Sequence, residues 1–114
     1  MKTDVLIATV LLGWKEDRSF PDKGRVFRSP GGALEMDTTF KFKTDYNELM
    51  KAWDAIEALG WRTSVINYPE DKKYISWLED VEGNVICKYE APTRLGAMYL
   101  TVELFVQCYA KPKI

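Results

Sequence analysis

No histidine occurs in the 114 residues. Imidazole acid–base catalysis, Ser-His triads and most zinc sites are therefore excluded together. Cysteine is scarce as well. Cys87 and Cys108 stand far apart with no CxxC pair, and the default expectation is two buried thiols in a reducing compartment. No window reaches the roughly 18 apolar residues of a membrane span. The apolar start of the chain is interrupted by Asp4, and no small-residue cleavage site follows, so it reads as mature structure rather than a signal peptide. P-loop and Rossmann glycine patterns, internal repeats and linkers are all missing. An excess of one charge is missing too: 16 basic residues face 17 acidic ones, for a formal charge of -1. That argues against general nucleic-acid binding, which needs surplus Lys and Arg to displace counterions, but it leaves room for a local basic pocket.

What is present reads as one domain spanning residues 1–114, long enough to bury a core without disulfide or metal staples, and rich in Trp and Tyr. Its plainest element lies in residues 44–60. Tyr46, Leu49, Met50, Trp53, Ile56 and Leu59 recur at steps of three and four and share one helical face, while Lys51, Asp54, Glu57 and Ala58 fall on the other. Asp45 is placed to cap this helix, Glu48 to reach back to the cap, and Gly60 to end it in a left-handed conformation.

The first apolar stretch, residues 4–12, is hydrophobic nearly all round, so periodicity cannot separate a buried helix from a buried strand. Thr3 or Asp4 as a cap and Gly13 as a stop favour a helix, with Trp14 anchoring its exit. Residues 15–32 form the loosest part, punctuated by turn chemistry around Pro21-Asp22-Lys23-Gly24 and Ser29-Pro30-Gly31-Gly32, with a strand-like segment at Arg25-Val26-Phe27-Arg28 between them. Residues 39–43 alternate as a strand would, Phe40 and Phe42 inward, Lys41 and Lys43 outward. Beyond the central helix, residues 61–68, 74–80 and 85–89 read as three strands. Their connections are too short for parallel crossovers, so they form an antiparallel meander closed by a hairpin at Glu82-Gly83-Asn84. The last apolar stretch fits both periods. Its length of about 15 residues and a cap at Thr93 favour a helix from Arg94.

Chemistry is thinly marked. The carboxylate runs Glu70-Asp71 and Glu79-Asp80 suit solvated turns, and Ser29-Pro30-Gly31-Gly32 suits a flexible turn better than a phosphate cradle. Neither a catalytic set nor metal ligands emerge. Binding is better supplied. Arg94 would stand in the first turn of a helix, where N–H groups and the dipole favour an anion. Trp77, Tyr68 and Tyr74 offer flat faces for a base, though core or sheet packing is their ordinary use. Arg25, Arg28, Lys41 and Lys43 make the one locally basic stretch, ordinarily a solvated face.

Four short motifs together resemble a known family. Asp4-Val5-Leu6-Ile7-Ala8 runs on to Leu12-Gly13-Trp14, and Thr44-Asp45 leads into a helix carrying Ala52-Trp53. A Gly60-ended helix precedes a meander containing Trp77, and Ala91-Pro92-Thr93 opens the last apolar element. This order is similar to that of small phage and prophage proteins with the phage ABA sandwich domain. The resemblance implies an α+β fold of order αββαβββα, with one antiparallel sheet of about four to five strands flanked by three helices as an α/β/α sandwich. It settles both ambiguous stretches as helices. Residues 15–43 depart from the family pattern in length and strand content, and Arg94-Leu95-Gly96 departs at the last helix. The resemblance also implies a non-enzymatic protein without cofactor or metal, in the cytoplasm of an infected or lysogenic bacterial host. It would sequester a nucleotide-derived immune signal such as a cyclic ADP-ribose, as an anti-defence sponge and as a homodimer or higher homo-oligomer. Arg94 and Thr93 would hold phosphate, Arg28 or Lys41 would add charge, and Trp77 or Tyr68 would stack the base. The alternative is a module that docks on a host or phage protein through an aromatic patch. An enzyme acting on nucleotides is the remotest reading.

Overall fold

The computed structural model describes residues 2–109, without the side chains of Cys87 and Tyr109. Its class is α+β. Helix α1 starts as Thr3–Leu6 and widens into a π-helical turn at Ile7–Leu11. Three short strands follow, β1 Lys15–Asp17, β2 Val26–Arg28 and β3 Leu34–Met36, then helix α2, Tyr46–Ala58. Strands β4 Arg62–Tyr68, β5 Lys73–Glu79 and β6 Val85–Ala91 lead to helix α3, Arg94–Leu104, which ends in a second π turn at Phe105–Tyr109.

The strands form two antiparallel three-stranded sheets, β1-β2-β3 and β4-β5-β6, where one sheet of four to five strands was expected. The meander of β4 to β6 matches the sequence reading, with Ser64 opposite Trp77 and Trp77 opposite Lys88. The smaller sheet corrects it. β1 lies in what reads as loose chain, β3 precedes the alternating run, and residues 39–43 are turn rather than strand. Phe40 and Phe42 still turn inward, because two rings two residues apart can do so from a turn. Phe40 meets Trp14 edge-on at 5.3 Å, and its centroid is 5.8 Å from Phe27 and 5.6 Å from Phe42.

The layers also differ from the expected sandwich. α3 lies across β4, β5 and β6, and α2 packs on α3 and β4. One core holds Ile7, Leu49, Trp53, Ile56, Met98, Val102 and Phe105 together with Leu78 of β5, while Val65 and Tyr89 pack against it. These sheet residues all have one parity. The other parity, with Ile66, Tyr68, Ile75 and Trp77, contributes nothing to that core. The helices therefore share one face of the larger sheet, and the second face has no helical cover among the described residues.

Within α2, Leu49, Ala52, Trp53 and Ile56 are buried, but Tyr46 and Leu59 at its two ends are exposed. Asp45 caps it, its carboxylate accepting from the N–H of Asn47 at 2.9 Å and of Glu48 at 3.3 Å. Glu48 does not reach back; it pairs with Lys51 at 2.9 Å. Gly60 ends the helix at φ +93°. At α1 the cap position is Lys2, not Thr3 or Asp4. Those two side chains serve α3 instead. Thr3 Oγ1 donates to Glu103 Oε2 at 2.8 Å and accepts from Gln107 Nε2 at 2.9 Å, and Tyr99 Oη donates to Asp4 Oδ1 at 2.9 Å. Burial, and then the hydrogen bond to Asp4, push the Tyr99 phenol well above its usual value. Cys108 is exposed, against the expectation of a buried thiol, and the Cys87 thiol lies outside the described side chains.

Thr93 caps α3 as expected, its Oγ1 accepting from Gly96 N–H at 3.0 Å. This explains the glycine. A Cβ on Gly96 would lie 2.9 Å from Thr93 Oγ1 and 3.3 Å from Ala91 Cβ. Ala at a helical position ordinarily gains about 1 kcal/mol over Gly. Here Gly96→Ala displaces a cap of about the same value, so we expect a melting temperature unchanged or lowered, read by thermal denaturation beside Thr93→Ala. Ser76 is fully buried beneath the helices, and its hydroxyl has no hydrogen-bond partner. Ser76→Ala removes an unsatisfied group with little change of shape, and a gain of about 1 kcal/mol in denaturant unfolding is expected.

Candidate functional site

Three places on the molecule have the residue types that bind. The first is a cleft of about 350 Å³ where the start of α2 meets the turn before it and the end of α1. Trp14, Phe40 and Phe42 supply its apolar wall, and Lys41 and Lys51 its positive charge. Its acidic groups outnumber these: Glu35, Asp45 and Glu48 all line it. Most of this charge is already engaged. Asp45 is bound to the helix start, Glu48 holds Lys51, and Glu35 accepts from Thr39 Oγ1. Three carboxylates against two ammonium groups make the cleft a poor host for phosphate.

The second place is the N-terminus of α3. Arg94 is exposed there, its guanidinium carbon 5.8 Å from the centre of the Tyr74 ring, and no carboxylate lies within ion-pair distance among the described residues. Tyr74 shares the helical side of the sheet with Ser76 and Leu78. The Thr93 hydroxyl is occupied by the cap.

The third is the uncovered face of the larger sheet. An antiparallel sheet packed on one side usually shows polar residues on the other. Here Ile66 and Tyr68 of β4 are 41% and 39% exposed, Ile75 opposite Ile66 is buried, and Trp77 is half-buried between Ser64 and Lys88. Charge surrounds this patch in both signs: Arg62 faces Glu79, and Lys73 pairs with Glu90 at 3.3 Å.

The six residues singled out from the sequence are thus not brought together. Thr93 and Arg94 stand at one end of α3. Trp77 and Tyr68 are on the opposite face of the sheet, four positions apart in register, so about 13 Å from each other along the strands. Lys41 lines the acidic cleft. Arg28 belongs to the smaller sheet and is committed there, its Nη2 2.8 Å from Asp17 Oδ2. What the sequence reading passed over is the pair Ile66 and Ile75, which turns two isolated aromatics into a continuous patch. The signal was present, since β4 and β5 each carry large apolar side chains at both parities.

Among the described residues no group of three His, Cys, Asp or Glu side chains is placed to hold a metal ion, and no helix is long and apolar enough to cross a membrane. Comparison of the chain with protein-family models, with curated proteins and with solved structures finds no match in any of the three.

The Asp17 carboxyl is held down to about 2, first by the Ser19 backbone N–H at 2.9 Å, then by the Ser19 side chain and Arg28. A carboxylate lowered on folding stabilises the fold above its unfolded value near 4, and this contribution disappears as pH falls towards about 2. Asp17→Asn should flatten that stretch of the acid limb, followed by urea midpoints between about pH 5 and 2.

Proposed function

We propose that the protein is a non-enzymatic binding module that docks on another protein through the uncovered face of the β4-β5-β6 sheet. The observation that supports this is the patch of exposed Ile66 and Tyr68 with half-buried Trp77, set around buried Ile75, at positions where solvent should favour polar side chains. An aromatic centre bordered by charge of both signs has the anatomy of a protein interface, with a buried anchor inside a polar rim. Lack of histidine, and of a clustered acidic site among the described residues, supports binding rather than chemistry. On the resemblance to phage ABA sandwich proteins, the partner would be a host or phage protein met in the cytoplasm of a bacterial host.

A second reading keeps one specific observation in its favour. Arg94, without an ion-pair partner among the described residues and poised over Tyr74 at a helix start, suits an anionic group. A sponge for a nucleotide-derived signal would be centred there. It would lack the stacking by Trp77 and Tyr68 and the charge of Arg28 and Lys41, which point elsewhere.

Two variants separate the readings. A partner enriched on the immobilised protein should lose about 30-fold in affinity with Trp77→Thr, the effect of an anchor worth about 2 kcal/mol. It should bind Arg94→Ala as it binds the wild type. In parallel, cyclic nucleotides and ADP-ribose cyclisation products should leave the melting temperature where it was. A ligand-induced rise that Arg94→Ala abolishes, with intact ligand recovered after denaturation, would instead establish the sponge. Turnover of that ligand would overturn both.

A further inference from the structure

β4 is an outermost strand, and its free side is unusually bare. The sheet order is β4-β5-β6, and among the described residues the backbone of Arg62–Tyr68 makes no hydrogen bond beyond its ladder to β5. Sheet proteins protect such edges with charged side chains, proline, bulges or very short strands. β4 has seven residues, its register with β5 runs unbroken from Arg62 to Tyr68, and after Arg62 it contains neither a charge nor a proline. The opposite edge is better protected: β6 carries Lys88 and Glu90, and its pairing with β5 is irregular at Leu78/Glu79.

We infer that β4 pairs with β4 of a second copy of this chain, antiparallel about a twofold axis at Val65. The occupant follows from the strand's self-complementarity. Centring on Val65 engages all seven residues, sets Thr63 against Asn67 and Ser64 against Ile66, and places no like charges opposite each other. Arg62 then meets the partner's Tyr68, a cation beside an aromatic ring. Ile66 and Tyr68, the two large exposed apolar side chains of β4, gain neighbours on their open side. Because residues at equal distance from Val65 share a parity, both helical layers fall on one side of the resulting six-stranded sheet. Both uncovered faces fall on the other and become one surface. A ladder of seven residues by itself falls short of the roughly 1,200 Å² buried by a stable interface, so the dimer is a concentration-dependent one. The pairing does not depend on what the uncovered face binds.

Sedimentation velocity on the full chain from about 5 μM to about 500 μM tests this range of affinity. The wild type is expected to pass from monomer to dimer, with amides of residues 62–68 gaining protection from hydrogen exchange as concentration rises. Asn67→Lys puts a charge at an exposed, helix-side position that pairing would cover. It should remain monomeric at the highest concentration with unchanged circular dichroism. Ser64→Lys, of opposite parity, should do the same, and it decides the matter if Asn67→Lys disturbs the fold. A wild type that stays monomeric throughout, variants that dimerise like the wild type, or protection that rises along β6 instead would each overturn the pairing.

Discussion

The structure depends on the burial of most of α3. Ala97, Met98, Tyr99, Thr101, Val102, Phe105 and Val106 are all buried, and only the stripe of Leu100, Glu103, Leu104 and Gln107 stays partly open to solvent. One side rests on the larger sheet, the other meets α2 and the end of α1. A helix with so wide an apolar arc is stable only when that arc is covered, so the sheet, α2 and α1 all have to meet it. The cap at Thr93 fixes where it begins, and Gly96 keeps space for that cap. The polar bonds from Thr3 and Asp4 to Glu103, Gln107 and Tyr99 fix how α1 lies along it. Each of these satisfies a group that burial would otherwise leave unpaired.

This enclosure explains which parts of the fold were legible. α2 lies at the surface, so its buried Leu49, Trp53 and Ile56 alternate with exposed Lys51, Asp54 and Glu57, and the helical period is visible. α1 and α3 carry leucines on their less buried sides as well, Leu6, Leu11 and Leu12 in one and Leu100 and Leu104 in the other, so little contrast between faces remains for periodicity to detect, and capping residues had to decide. Caps decided correctly at Asp45 and Thr93. They misled at Thr3 and Asp4, whose side chains found tertiary partners 95 to 104 residues away. The three-residue strands of the smaller sheet are too short to show an alternation, and β2 hides it by burying both Val26 and Phe27. At residues 39–43 the pattern was real but its cause was a turn, since Phe40 and Phe42 converge on Trp14 and Phe27 without a ladder.

The candidate site was less legible for a different reason. A sequence gives residue types, while a pocket needs them on one side of one layer. Trp77 and Tyr68 share a parity that Tyr74 does not, so the stacking surface and Arg94 fall on opposite faces of the sheet. Arg28 offered a free cation only until Asp17 was found opposite β2, in a strand whose sequence, Lys15-Glu16-Asp17, looks like solvated loop. Arg25 is taken in the same way by Glu16, with Nη2 to Oε1 at 3.1 Å. The arginine half of the basic stretch read from the chain is, in space, two neutralised pairs.

The polarity of β5 at two adjacent positions carries the functional argument further. Ser76 points into the core with an unsatisfied hydroxyl, and Trp77 points out of it. For folding alone the reverse would be better, since a buried unpaired hydroxyl costs about 1–3 kcal/mol and a Trp returns most when buried. The inward serine has a steric account: Ser76, Ala97 and Thr101 are small and fully buried, which lets a helix lie close on a strand. The outward tryptophan has no such account within one chain. Neither does exposed Ile66 beside it, on a face that no described helix covers. Apolar area left in water forgoes about 25 cal/mol for each Å² that a partner would cover. An uncovered face with half-buried Trp77 at its centre, adjoining a strand edge without protective charge, is what supports the proposed contact with another chain.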